Sequence, residues 1–326
     1  MEVSIIVPVY NVESWIYRCL DSVGKQDYPG TMECIVVDDC GQDNSIMIAE
    51  QYIASYTGSI SFKVLHHDRN RGLSAARNSG TIAANGNWIY YLDSDDELTK
   101  DCISSLMDAT QIYEEVELVQ GYIQCDFSER YNLSAFDSVD YVDDSKWIRD
   151  HYFTFNSARL NGNAWNKLIR KSFILKYNIF FKENIIHEDE LWMFLLCRFL
   201  SKFAFVHKST YVHYRTANSI MSNVFKDNTL SNASWAVILG EIAKSRLTTV
   251  QCYFYSLECL VRKDHFTNSK RIVLKYILRS LEQGMFFTSA MLFCSSFVPR
   301  ERGYNFFYRN TTKINNRRMQ LSKRLL

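Results

Sequence analysis

An acidic cluster is the group of residues best suited to chemistry in this 326-residue sequence. Asp93, Asp95 and Asp96 lie in the motif DSDD, directly after the apolar run WIYYL, whose composition is typical of a buried strand. Carboxylates at a strand end suit a divalent cation, Mg²⁺ or Mn²⁺, which completes its ligand shell with phosphate oxygens and water. A structural role is the alternative, because acids also stabilise the N-terminus of a helix, here one beginning near Leu98.

A second acidic pair, Asp38 and Asp39, ends the apolar run CIVV. An acid at this place can accept a hydrogen bond from a nucleobase N–H or a ribose hydroxyl, and a helix cap or a turn would explain it equally well. The sequence has neither GxGxxG after its first strand nor the P-loop motif GxxxxGKS/T. Phosphates would therefore have to be held by a metal ion and by side chains.

The first 113 residues alternate between two hydrophobic periodicities, and this alternation places both acidic groups. Buried-strand patterns cover residues 3–9, 33–38, 61–67 and 87–93. Helical patterns cover residues 12–23, with Asn11 as the expected cap, and residues 45–56, 73–84 and 100–113. We expect right-handed βαβ units and a parallel sheet flanked by helices. Such sheets bind ligands outside the carboxyl ends of their strands, which is where the acids fall.

The pattern after residue 117 is less regular. Strands are predicted at residues 117–127, 163–169 and 203–215, and helices at residues 145–155 and 188–200. From residue 228 the sequence predicts three or four helices, at residues 231–245, 250–264, 270–284 and 288–296. We expect a first domain of residues 1–220, a helical region of residues 221–299 and a basic tail of residues 300–326.

The charge of the chain is balanced overall, with 37 Lys and Arg against 36 Asp and Glu, but it is unevenly distributed. Residues 300–326 carry eight basic residues and one acid, so the rest of the chain is acidic. A nucleic-acid-binding domain would carry its basic excess in the folded body, so the acidic body argues against this class and leaves nucleic-acid binding as a lesser alternative for the tail. The tail would suit the anionic surface of a membrane, or would simply be a solvated end.

Cysteine usage and hydropathy indicate the compartment. Nine cysteines occur without a CxxC pair, which argues against a zinc site and a disulfide framework. The N-terminal run MEVSIIVPVYN does not fit a signal peptide, and no stretch approaches 18 apolar residues. We expect a cytoplasmic protein, with contact to the inner face of the plasma membrane through the basic tail.

Seven segments together resemble a known enzyme family. VSIIVPVYN (3–11), VVDDCGQDNS (36–45), NRGLSAARNSG (70–80) and NWIYYLDSDDEL (87–98) are similar, in order and spacing, to family 2 glycosyltransferases of the GT-A fold. WNKLI (165–169), HEDELWMF (187–194) and YVHYRTANSI (211–220) resemble the bacterial capsular and cell-surface polysaccharide subgroup. The resemblance implies an α/β GT-A fold, a mostly parallel nucleotide-binding sheet flanked by helices, within residues 1–220. The motif QxxRW of processive synthases is missing, which favours a single transfer.

The resemblance also implies which residues bind a nucleotide-sugar donor. A UDP-sugar would be held at its base by Pro8, Val9, Tyr10 and Asp39, with Arg77 supporting the nucleotide pocket. Asp93 would contact the ribose or a metal-bound water, Asp95 would ligate the divalent metal, and Asp96 would be a further or alternate ligand. His213, Tyr214 and Arg215 would close over the diphosphate, since arginine donates paired hydrogen bonds to phosphate.

The resemblance assigns the catalytic base to Asp189. It lies at the start of a predicted helix, where the helix dipole would keep a carboxylate ionised at neutral pH. An inverting transfer needs this one base, because the metal stabilises the leaving diphosphate. From the residues alone, Glu188 and Asp189 could instead only stabilise the helix terminus. Trp165, Lys167 and Glu188 would shape the acceptor side, although Trp165 could equally belong to the core.

The activity implied is transfer of one hexose or N-acetylhexosamine to a glycan, lipid-linked, in bacterial surface polysaccharide synthesis. A sugar-nucleotide nucleotidyltransferase is an alternative, but it would need a glycine-rich, basic loop after the first strand, where this chain has VPVYNVESW. A catalytically inactive nucleotide-sugar-binding or scaffold protein is the other alternative. The intact DSDD and HED segments argue against it.

Overall fold

The fold is known from a computed structural model, which describes residues 1–125, 139–152, 162–216, 229–242, 244, 245, 274 and 278. The chain divides into two compact units, Met1–Asn223 and Val224–Leu326. In the described part of the chain, no helix is long and apolar enough to cross a membrane.

The first half of unit one is a parallel sheet, as predicted. Its strands are ordered β3-β2-β1-β4 and every neighbouring pair is parallel. The β-branched run of β1 is buried at all seven positions, which explains why it forms the centre of the sheet. The strands are β1 (Val3–Val9), β2 (Met32–Asp38), β3 (Ser61–His66) and β4 (Trp88–Tyr91), and the helices between them are α1 (Ile16–Gly24), α2 (Ser45–Ser55) and α3 (Leu73–Ala83).

The second half of unit one extends the same sheet with mixed pairing. The strand order continues β4-β8-β6-β9-β5, with β7 also paired to β9, and β6 with β9 is the parallel pair of this half. The strands are β5 (Glu97–Leu98), β6 (Leu118–Cys125), β7 (Tyr141–Asp143), β8 (Lys167–Arg170) and β9 (Lys202–His213), and the helices are α4 (Cys102–Ile112), α5 (Ser145–Tyr152), α6 (Lys171–Tyr177) and α7 (Glu188–Phe199).

Two local predictions near the site are wrong. The helix predicted over residues 100–113 forms as α4, but its expected start near Leu98 is wrong, because Glu97 and Leu98 pair with β9 as the short strand β5. Asn11 does not cap α1: its backbone is left-handed (φ 54°), its Oδ1 accepts from the Gln42 N–H, and the helix begins only at Ile16. In both places a contact with a residue far along the chain replaces the local contact that the sequence pattern predicts. The strand β7 and the helix α6 were not predicted.

A close approach between α3 and the sheet fixes the position of the helix. A Cβ atom at Gly80 of α3 would lie 2.4 Å from Ile6 Cγ2 of β1, which is closer than real Cβ contacts. Only glycine therefore lets α3 lie this close to the central strand. The helix carries Arg77 toward the carboxyl ends of the strands.

In unit two the structure describes the helix α8 (Thr229–Ile242), near the predicted residues 231–245. Its apolar residues Trp235, Ile238, Leu239 and Ile242 are buried. The helices predicted at residues 250–264 and 288–296 and the basic tail lie outside the described residues. Within 270–284, residues 274 and 278 are described, and both are helical.

Candidate active site

The carboxyl ends of β2, β1 and β4 lie side by side, and the predicted donor-binding residues cluster there. Pro8 and Val9 end β1, paired in register with Val37 and Asp38 of β2, and both are buried. Tyr10 follows with 46 % of its surface exposed. A flat aromatic ring is thus presented to solvent at the edge where parallel sheets bind ligands.

Asp39 lies at the same edge and is almost fully buried, with 3 % of its surface exposed. Its Oδ1 accepts hydrogen bonds from His67 Nδ1 at 2.7 Å and from the Arg71 N–H at 2.8 Å. Its Oδ2 accepts one from the Gly72 N–H, also at 2.8 Å. Asp39 thereby ties the end of β2 to the end of β3 and to the start of α3.

Arg77 joins the two acidic motifs that are far apart in the sequence. Its Nη2 donates to Asp93 Oδ1 and its Nη1 to Glu188 Oε1, each at 2.7 Å. The guanidinium is buried, and although burial opposes its charge, the carboxylates of Asp93 and Glu188 raise the pKa of Arg77 further. One side chain of α3 therefore holds the DSDD loop against the start of α7. Arg77 therefore has two carboxylate partners, in addition to the nucleotide-pocket role expected of it.

Asp189 lies in the first turn of α7, beside this bridge. The residue before the helix, His187, is left-handed (φ 60°). Burial, together with the neighbouring carboxylates of Glu188 and Glu190, raises the pKa of Asp189 to about 8, against the lowering effect of Arg77. This rise opposes the effect of the helix dipole, which we expect to favour the ionised carboxylate. A carboxylate with a pKa near the working pH is well suited to act as a general base.

Asp96 is the buried member of the DSDD cluster and is surrounded by donors from the end of β9. The Tyr211 hydroxyl donates to it at 2.7 Å, His213 Nδ1 lies 3.0 Å away, and the Tyr214 N–H donates at 2.9 Å. Burial raises the pKa of Asp96, and the contacts to His213 and Tyr214 oppose that rise. The carboxylate therefore fastens the loop after β4 to β9.

Asp93 and Asp95 are the partly exposed members of the DSDD cluster. Asp95 Oδ2 accepts from the Thr216 hydroxyl at 2.9 Å. Burial, together with the carboxylates of Asp96 and Asp93, raises the pKa of Asp95 to about 6. Such a crowded set of oxygen ligands fits a hard divalent cation, whose charge would relieve the repulsion. Among the described residues, no group of three or more His, Cys, Asp or Glu side chains could hold an ion by itself, so further ligands would have to come from a bound molecule.

Arg18 of α1 is a site residue that sequence reasoning missed. Its Nη2 donates to the backbone oxygen of Asp95 at 2.7 Å, its Nε lies 2.9 Å from Glu97 Oε1, and its guanidinium stacks 3.7 Å from the ring centre of Tyr214. Nothing in the sequence near residue 18 indicates these partners, because all of them lie far along the chain. Arg215, the neighbour of Tyr214, has an exposed side chain.

The residues predicted for the acceptor side are buried. Trp165 stacks on Tyr211, with ring centres 4.4 Å apart, and on His213, at 5.3 Å. Lys167 is fully buried, donates to the backbone oxygen of Asn163, and has its pKa lowered by burial to about 7. Neither side chain offers an exposed surface to an acceptor, which favours the core alternative for Trp165. Glu188 is buried and occupied by Arg77.

Comparisons with known proteins indicate the family of this chain. The model of the family "Glycosyl transferase family 2" matches residues 4–174. The putative glycosyltransferase EpsH of Bacillus subtilis is 30 % identical over 216 residues, which are 65 % of this chain and 60 % of EpsH. The glycosyltransferase GlyG of Streptococcus pneumoniae is 26 % identical over 82 % of this chain and 85 % of its own length.

Two solved structures share the fold. Staphylococcus aureus TarS 1–349 in complex with UDP-GlcNAc matches with a TM-score of 0.65 and 21 % identity, over 97 % of this chain and 92 % of that one. The mannosyltransferase PcManGT from Pyrobaculum calidifontis, in complex with GDP-Man and Mn²⁺, matches with a TM-score of 0.55 and 14 % identity, over 94 % and 84 %. At these identities the likeness shows the fold alone.

Proposed function

The chain belongs to glycosyl transferase family 2, and from this premise we propose that it transfers a single hexose or N-acetylhexosamine from a UDP-sugar to a glycan, with inversion. The observation that carries the proposal is the Arg77 bridge between Asp93 and Glu188. It holds an acidic strand end, where a nucleotide diphosphate would bind, next to Asp189, where a proton can be taken up.

The donor would bind across the carboxyl ends of β1, β2 and β4. The backbone of Pro8 and Val9, the exposed ring of Tyr10 and the carboxylate of Asp39 would hold the base, with uracil as the base proposed. Asp93 would face the ribose, and Arg215 would reach the diphosphate. TarS, which shares this fold, has been solved with UDP-GlcNAc, which supports a UDP-sugar as donor.

A divalent cation, Mg²⁺ or Mn²⁺, fits the carboxylates of Asp95 and Asp93, while Asp96 holds their loop from its buried position. When bound, the ion would neutralise charge on the leaving diphosphate. The structure of PcManGT with Mn²⁺ supports this assignment. Arg18 contributes by holding the backbone of Asp95 and the ring of Tyr214 in place.

Asp189 would be the general base. As the acceptor hydroxyl oxygen attacks the anomeric carbon from the face opposite the diphosphate, the hydroxyl proton passes to the Asp189 carboxylate. The new C–O bond forms while the bond to the diphosphate oxygen breaks, and UDP leaves. Glu188 keeps its own carboxylate on Arg77 and thereby fixes the first turn of α7, which carries the base.

The acceptor proposed is a lipid-linked glycan in the synthesis of a bacterial surface polysaccharide. Relatives include the putative glycosyltransferase EpsH and the poly(ribitol-phosphate) beta-N-acetylglucosaminyltransferase TarS, whose name gives the polymer poly(ribitol-phosphate) as the molecule it acts on. The basic tail, residues 300–326, would bring the enzyme to the anionic inner face of the plasma membrane.

The test is release of nucleotide from a panel of UDP- and GDP-sugars, with Mn²⁺, with Mg²⁺ or with EDTA. We expect metal-dependent release of UDP from one donor, and loss of that release in Asp95→Asn. Asp108→Asn, an exposed acid of α4, is the matched control and should behave as the unchanged protein. Release that persists in EDTA or in Asp95→Asn would contradict the metal assignment. Failure to release or bind any nucleotide would overturn the function.

A further inference from the structure

The fold alone does not decide which nucleobase the donor carries. Two structures that share it were solved with different nucleotide sugars, UDP-GlcNAc in TarS and GDP-Man in PcManGT. Any selection of the base must therefore come from particular side chains. The side chain proposed to contact the base is Asp39, so the groups around Asp39 determine which base it can bind.

Asp39 has a nearly complete set of hydrogen-bond donors before any ligand binds. An ionised carboxylate has about four acceptor positions, two on each oxygen. In the part of the chain that the structure describes, His67 Nδ1 and the Arg71 N–H occupy both positions on Oδ1, and the Gly72 N–H occupies one on Oδ2. One acceptor position remains, on Oδ2.

His67 is held so that it must face Asp39. Its Nδ1 lies 2.7 Å from Asp39 Oδ1 and its Nε2 lies 2.9 Å from the Ser79 hydroxyl of α3. The side chains of His67 and Asp39 are 5 % and 4 % exposed, so water does not compete for these contacts. Because the carboxylate only accepts, the hydrogen of the ring lies on Nδ1, and the Ser79 contact fixes the other side of the ring. The imidazole therefore fixes the rotamer of Asp39 and permanently occupies Oδ1.

We propose that His67, anchored by Ser79, is a positioning residue that acts through Asp39 to make the donor site selective for uracil over guanine. Uracil presents one N–H, at N3, and needs one acceptor. Guanine presents two adjacent donors, at N1 and N2, and would leave one of them unpaired at a buried carboxylate with one free position. The inference rests on the base-binding role proposed for Asp39.

The chain offers a matched pair of variants that separate the two sides of the ring. In His67→Asn the amide N–H can replace the Nδ1–H that faces Asp39, and the contact with Ser79 is lost. In His67→Gln the longer amide can reach Ser79, and the donor to Asp39 is lost. His66→Asn is the control, because His66 is exposed and contacts Asp38 instead.

The measurement is the affinity of the full chain for UDP and for GDP, each with Mg²⁺, by calorimetry. We expect the unchanged protein and His66→Asn to prefer UDP by about tenfold or more, since an unpaired donor costs at least that factor. His67→Gln should lower this UDP preference about tenfold, by losing UDP affinity while GDP affinity holds or rises, and His67→Asn should restore most of it. If His67→Gln does not fold, His67→Ala removes the same Nδ1 donor to Asp39 and should lower the preference in the same direction.

Three results would overturn the inference while leaving the proposed function standing. One is an unchanged protein that binds GDP as well as UDP. Another is a parallel loss of both affinities in His67→Gln, which a purely structural role predicts. The third is a preference that falls equally in His67→Asn and His67→Gln. If the unchanged protein binds neither nucleotide, the proposed function itself fails.

Discussion

At the residue scale, the site depends on one guanidinium shared between two carboxylates. Arg77 is buried and donates to Asp93 from one nitrogen and to Glu188 from another. A planar fork can satisfy two acids in fixed directions, which a lysine ammonium cannot. The DSDD loop and the start of α7 are therefore aligned by this one side chain.

Arg77→Lys should keep the charge and lose the bridge. We expect nucleotide release to fall by about 100-fold, because a small displacement of the reacting groups is enough to cause such a loss. The unfolding temperature should also fall, since weakening a buried ion pair destabilises by up to about 3–5 kcal/mol. Arg69→Lys, at an exposed arginine, is the matched control. Release at the normal rate in Arg77→Lys would show that the bridge has no part in catalysis.

The pH dependence of the reaction should report the raised pKa of Asp189. Burial and two neighbouring carboxylates raise this pKa to about 8, so the ionised base becomes more abundant as the pH rises. We expect kcat/KM to rise about tenfold per pH unit up to about pH 8 and then to level off. In Glu190→Gln one of the neighbouring negative charges is gone, so the midpoint should move to lower pH. A profile that is flat between pH 6 and 9 would exclude Asp189 as the base.

Sequence reasoning found the acids of the site and missed their partners. Asp39, Asp93 and Asp189 stand out because they follow buried strands or open an apolar helix, and those are local signals. His67 stands out only as the end of a predicted strand and Arg18 gives no signal, since the roles of both come from contacts with residues that the fold alone brings near. The raised pKa of Asp189 was missed for the same reason.

At the element scale, the packing of α3 against β1 sets the position of Arg77. Gly80 allows this packing, because any Cβ there would meet Ile6 at 2.4 Å. The βαβ units were predictable, since continuous apolar runs and helical periodicity are both local. The strands β5 and β7 were not, because each is only two or three residues long and exists through its pairing with β9.

Gly80→Ala and Gly240→Ala should have opposite effects on stability. The first adds a methyl group to a packed contact and should lower the free energy of unfolding by about 1–3 kcal/mol. The second lies in α8, where a Cβ would meet nothing within 4 Å, and should raise it by up to about 1 kcal/mol through helix propensity. Denaturant unfolding of both variants measures these changes. A stabilised Gly80→Ala would mean that α3 can shift freely on the sheet.

At the scale of the whole molecule, charge is separated along the chain. Residues 300–326 contain eight basic residues and one acid, while the rest of the chain is acidic. Composition alone was enough to predict this separation. Composition could not predict the mixed pairing in the second half of the sheet, because β8, β6 and β9 are joined by contacts between distant segments.

The tail should bind the enzyme to anionic membranes. We expect the full chain to sediment with vesicles rich in phosphatidylglycerol. About 0.5 M salt should release it, because salt screens the interaction between surface charges. Each basic residue near such a surface contributes about 1 kcal/mol. A chain with the tail lysines and arginines changed to glutamine is the control. If that chain sediments equally well, the tail is not the membrane-binding element.

The central claim is that this chain binds a UDP-sugar and uses Asp189 to activate the acceptor. The most direct test compares the unchanged protein with Asp189→Asn, measuring UDP affinity and UDP release from the donor on the same samples. The variant should bind UDP with unchanged affinity and release UDP from the donor about 100- to 10,000-fold more slowly, the range expected when a general base is lost. Normal release in Asp189→Asn would contradict the claim.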